Sequence, residues 1–89
     1  MEIEEVHRLV SESEEFLEGY RIYGRMVQDA IEALDRVEKL ISDPTGGGLR
    51  EALKIVEALR QQLEAYKDYV PTLAEKVDAI YRWLSEEAC

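Results

Sequence analysis

The sequence predicts an all-α protein, an antiparallel helical hairpin of two long helices. Three observations predict it. Apolar residues recur at alternating steps of three and four in both halves of the chain, charged residues fill most positions between them, and one Pro/Gly-rich break lies near the middle.

The first helix is expected over about 2–42. Leu9, Ser13, Phe16, Tyr20, Tyr23, Val27, Ala30, Leu34, Val37 and Ile41 form one unbroken seam. Ile3, Val10, Leu17 and Ile31 lie beside it, and Met26, Ala33 and Leu40 widen it toward the break. A turn is expected over 43–48, within Ser42-Asp43-Pro44-Thr45-Gly46-Gly47-Gly48. Proline disfavours helix at the residue before it, and glycines are poor helix formers.

The second arm carries Leu49, Ala52, Val56, Leu59, Leu63, Tyr66, Val70, Leu73, Val77, Ile80 and Leu84 in the same rhythm. Pro71 interrupts it, since proline lacks an N–H and its ring clashes with the preceding turn. The apolar phase survives from Val70 to Leu73, so helices are expected at about 49–70 and 71–88. They read as two nearly collinear pieces joined by a kink or a brief break, which allows a three-helix count.

Each arm would be roughly 60 Å long if fully helical. The stripes are wider than a two-column seam, and a helix with three or four apolar columns needs two neighbours. A hairpin supplies one. The expectation is therefore a homodimer, two hairpins forming a four-helix bundle, with a partner protein as the other way to cover the surface.

Gly19 and Gly24 interrupt the first helix, where each costs about 1 kcal/mol relative to Ala. Folding the hairpin about its turn sets them near Pro71, Val70 and Tyr66. The irregular positions thus gather at one level with Tyr20, Tyr23, Tyr66 and Tyr69. Gly19, Tyr20, Arg21, Ile22, Tyr23, Gly24, Arg25, Tyr66 and Tyr69 form the candidate interaction patch. Tyr and Arg are favoured interface residues, and local departures from good helix sequence tend to mark function. The competing reading is structural: small residues and a kink accommodate bulky rings, with each hydroxyl reaching water.

The formal charge of −9, from 20 acidic and 11 basic residues, argues against nucleic acid and anionic membranes, both recognised through Lys and Arg. No apolar run approaches the roughly 20 residues of a membrane span, and Met1-Glu2-Ile3-Glu4-Glu5 does not read as a signal peptide. A cytoplasmic or soluble recombinant protein is expected. The single cysteine, Cys89, has no internal partner and reads as an incidental thiol or an appended handle. Glu4-x-x-His7 has the spacing used in di-iron bundles, yet His7 is the sole histidine, so a surface His among carboxylates is the stronger reading and no metal or cofactor is expected. Tyr81 and Trp83 are expected to cap the open end of the hairpin.

No phosphate loop or nucleophile–base pairing appears, so an enzyme is not expected. The chain lacks asparagine altogether, which fits either an idealised engineered protein or a thermophile protein. The functional expectation is a non-catalytic, engineered helical-bundle module acting by protein–protein interaction or self-assembly. The alternatives are a ligand- or metal-binding four-helix bundle and a natural thermophile-type dimerisation protein.

Overall fold

Each of the two arms is broken once. The computed structural model describes residues 2–42 and 47–88. It contains α1 (Ile3–Glu18), a 3-10 turn (Arg21–Tyr23), α2 (Arg25–Ser42), α3 (Gly48–Glu64) and α4 (Pro71–Glu87). All of the regular structure among the described residues is helical. No described helix is long and apolar enough to cross a membrane.

The helices pack in a closed ring. α1 lies against α2 and α4, and α3 lies against the same two. Each adjacent pair carries one cross-helix ion pair: His7–Glu38 for α1/α2, Arg36–Glu51 for α2/α3, Arg60–Asp78 for α3/α4 and Glu12–Lys76 for α4/α1. In each consecutive pair the two partners stand at similar distances along the chain from the intervening turn, as antiparallel neighbours do. Exposed pairs of this kind set register more than they stabilise.

This arrangement differs from one helix over 2–42. A helix that long would extend roughly 60 Å, whereas the longest extent of the molecule is 36 Å. The radius of gyration, 12.2 Å, matches the roughly 12 Å of a compact single domain of this length. The physical reason sits at Gly24, whose φ of 100° and ψ of −156° no helix contains. Glycine alone reaches that region without strain. Pro71 also does more than kink the second arm. It occupies the first turn of α4, where its missing N–H is harmless. The chain reverses over residues 65–70, so α3 and α4 lie side by side, not end to end. Residues 43–46 of the central turn and Cys89 lie outside the described residues.

The core runs through the middle of the ring. Val6, Val10, Ser13 and Leu17 face inward from α1, and Ala30, Ile31, Leu34, Val37 and Ile41 from α2. Ala52, Val56 and Leu59 of α3 meet Leu73, Val77, Ile80, Trp83 and Leu84 of α4. Leu9 and Phe16, placed on the main seam by spacing alone, are half-buried at its edge. Ser13 is fully buried and donates its hydroxyl to the Leu9 carbonyl at 2.8 Å, a local bond that leaves no stranded polar group. Trp83, expected at an open end, is 7% exposed within this core. Every helix finds two neighbours inside one chain, so stripe width by itself makes no demand for a second copy.

The two halves repeat one plan. Shifted by 46 positions without a gap, they are identical at Glu5/Glu51, Val10/Val56, Leu17/Leu63, Glu18/Glu64, Tyr20/Tyr66, Tyr23/Tyr69, Ala33/Ala79 and Arg36/Arg82. Arg21/Lys67, Val27/Leu73, Ile31/Val77 and Leu34/Ile80 are conservative matches. The helix limits correspond within one residue under the same shift. The fold is thus a tandem pair of helical hairpins packed face to face.

Candidate functional site

Both hairpin turns fall at one end of the bundle, opposite the end where α1 and α3 begin and α2 and α4 finish. Each begins by tightening the end of a helix. The Tyr20 N–H donates to the Leu17 carbonyl at 2.8 Å, and that of Tyr66 to the Leu63 carbonyl at 2.9 Å. Each then closes a three-residue step: the Tyr23 N–H donates to the Tyr20 carbonyl and that of Tyr69 to the Tyr66 carbonyl, both at 2.9 Å. Such i to i+3 bonds set side chains three apart on one side. The Tyr-x-x-Tyr spacing therefore turns four phenol rings toward the space between the turns.

That space is an open cavity of about 760 Å³. Its floor is the upper layer of the core: Leu17, Ala30, Leu59 and Leu73, all nearly inaccessible. Phe16, Val27, Leu63 and Val70 form the walls, half-buried. Tyr23, Met26, Gln62, Tyr66 and Tyr69 make the rim, with Tyr20 between wall and rim. Phe16 stacks on Tyr20, ring centroids 5.2 Å apart at 22°, and Tyr20 continues to Tyr23 at 5.7 Å and 33°. One wall is thus a ladder of three aromatic rings. Opposite it, the position equivalent to Phe16 is Gln62.

The electrostatics repeat with the fold. Glu18 grips Arg21 through two oxygens, at 2.5 and 3.0 Å. Its counterpart Glu64 accepts from Lys67 at 2.9 Å. Hydrogen bonding to the cation holds both carboxyls below their ordinary range and raises Arg21 and Lys67. Each turn therefore pairs a Glu with a cation outside the cavity, and no lining residue carries a formal charge. Among the described residues, no protein group is hydrogen-bonded to the hydroxyls of Tyr20, Tyr23, Tyr66 or Tyr69, or to the Gln62 amide.

Of the patch expected from sequence, the cavity gathers Tyr20, Tyr23, Tyr66 and Tyr69. Gly19, Arg21, Ile22, Gly24 and Arg25 shape the turn outside it; Ile22 is 88% exposed, and Arg25 approaches Asp29 at 3.9 Å. The floor, Phe16 and Gln62 were missed, because their spacing reads as ordinary core or surface. The repeat at 46 residues was the available signal. His7 pairs with Glu38 of α2, its Nδ1 3.0 Å from Oε1. Among the described residues, no three His, Cys, Asp or Glu side chains stand close enough together to hold a metal ion.

No protein-family model, curated protein or solved structure matches this chain.

Proposed function

We propose that the chain is a non-catalytic helical-bundle module that acts by binding, with the tyrosine-ringed cavity as its site. The carrying observation is the cavity itself: about 760 Å³ of space over an apolar floor, held between four helix ends. Small-molecule sites typically occupy about 300–1,000 Å³ with mainly apolar walls and a few polar groups. The lining offers phenols and one amide but no carboxylate, amine, imidazole or thiol to drive proton transfer or nucleophilic attack. A thermal-shift screen of uncharged apolar compounds tests the proposal. Stabilisation that rises with ligand concentration is expected, and a Tm unmoved by every compound up to its solubility limit contradicts it.

A second reading keeps the same end as a protein interface, either to another protein or to a second copy. It is favoured by the exposure of Ile22, Tyr23, Met26, Tyr66 and Tyr69, which leaves Ile3 as the only exposed large apolar side chain elsewhere among the described residues. End-to-end pairing of two copies would cover these side chains. Mass measured across a dilution series with Cys89 reduced tests it, and a mass that stays monomeric to millimolar concentration rules it out.

A further inference from the structure

The chemistry of the lining narrows what the cavity can hold, provided that it is a binding site as proposed above. An anion entering it would exchange water for uncharged side chains and aromatic rings, with no positive charge in the lining to compensate. An anion would also approach a chain of net charge −9. The ladder of Phe16, Tyr20 and Tyr23 lines one side of the cavity with aromatic rings, and aromatic rings favour another ring in offset or edge-to-face contact. Gln62 faces the ladder from the second hairpin at the position where the repeat would place another aromatic ring. It adds an amide donor and acceptor to the rim. The volume suits a molecule of a few rings.

We infer that the end cavity takes an aromatic small molecule of two or three rings that carries no negative charge, seated against the Phe16–Tyr20–Tyr23 ladder with a polar edge toward Gln62. The exposed ring of Tyr69, 82% accessible, stands on the turn opposite the ladder and would close over such a guest. Tyr69 would then contribute contact area at binding without having contributed to folding.

The test is fluorescence titration of the intact chain, Cys89 reduced, with two probes that share their rings. N-phenyl-1-naphthylamine is neutral, and 8-anilino-1-naphthalenesulfonate is the same scaffold with a sulfonate. The neutral probe is expected to saturate at one per chain and to bind at least tenfold more tightly than the anion. Tyr69→Ala should weaken it severalfold with the helical circular dichroism unchanged, and Phe16→Gln should weaken it further. Raising salt to about 1 M, where the screening length falls to about 3 Å, should leave most of the difference between the probes. Equal binding of the two probes, tighter binding of the anion, or a difference that salt abolishes would overturn the inference of a guest without negative charge while leaving a binding cavity. Failure of both probes, together with a thermal-shift screen without hits, would remove the binding reading itself.

Discussion

Gly19 and Gly24 lie five residues apart in one turn, yet alanine should act on them with opposite signs. Gly19 has φ −69° and ψ −11°, ordinary right-handed backbone. A Cβ built there meets only the Phe16 carbonyl oxygen, at 3.5 Å, an ordinary contact. Gly19→Ala therefore restricts the unfolded chain without straining the folded one, which should stabilise by about 0.4–1 kcal/mol. Gly24 has φ 100° and ψ −156°, and its Cβ would meet nothing within 4 Å. The penalty there is purely one of backbone conformation, about 1–3 kcal/mol. Offset by the same unfolded-state gain, Gly24→Ala should lose about 1–2 kcal/mol. In a domain of this size each kcal/mol moves Tm by about 4–8 °C. Urea and thermal unfolding followed by circular dichroism read both variants. The mirror image of the Gly24 conformation is ordinary extended backbone, so a D-alanine placed at position 24 by chemical synthesis should be at least as stable as glycine. An uninterrupted helix over 2–42 predicts instead that both L-alanines stabilise, by about 1 kcal/mol each. That result would refute the turn.

The remaining predictions concern the core and the charges. Leu34→Ala removes a fully buried side chain from the centre of α2 and should cost about 2–5 kcal/mol in urea unfolding, whereas Tyr69→Ala should move stability by less than about 0.5 kcal/mol. Glu14 is raised above the ordinary carboxylate range, by burial first and then by Asp35, Glu38 and Glu18. The repeat puts Arg60 at the equivalent position, where it pairs with Asp78 at 3.0 Å. Glu14→Arg, among Asp35, Glu38 and Glu18, should therefore stabilise at pH 7 by up to about 1 kcal/mol. The gain should shrink as pH falls below about 4, where the acidic partners are protonated. Glu12, Glu18 and Glu64 are lowered by hydrogen bonds to Lys76, Arg21 and Lys67. Folding makes these three bind protons less readily, so their contribution is complete above the unfolded carboxylate value of about 4.3 and is lost as pH falls through their lower folded values. Glu12→Gln should consequently destabilise at pH 7 and have little effect at pH 2.

The helical class and most of the buried seam residues were legible in the sequence, but Val6 and Trp83 lie in the core outside the expected seams, and Tyr23 and Tyr66 of those seams are exposed. Periodicity reports which face of a helix is apolar, and that face is unchanged by a reversal of the chain. It cannot distinguish a helix that continues through Gly19–Gly24 from two helices whose stripes resume in phase across a turn. Positive φ at Gly24 and the placement of Pro71 in the first turn of α4 decide that matter, and both depend on conformation. The internal repeat carries the missing information. Tyr20-Arg21-Ile22-Tyr23 and Tyr66-Lys67-Asp68-Tyr69 occupy equivalent positions, each between a Glu and the start of another helix. A break at Pro71 in one half therefore implies a break near Arg25 in the other. The cavity floor was not legible, because Leu17 and Leu73 carry the spacing of any core leucine, and only the splaying of four helix ends leaves space above them.

Methyl NMR of the intact chain during titration with N-phenyl-1-naphthylamine tests the central claim most directly, because it reads fold-back and binding together. The account predicts progressive shifts for the methyls of Leu17, Val27, Leu63, Val70 and Leu73, residues far apart in sequence that the fold brings to one end. The methyls of Val6, Ile41 and Leu84, in the core toward the other end, should remain in place. Shifts concentrated on that second group, or confined to one half of the chain, would contradict it.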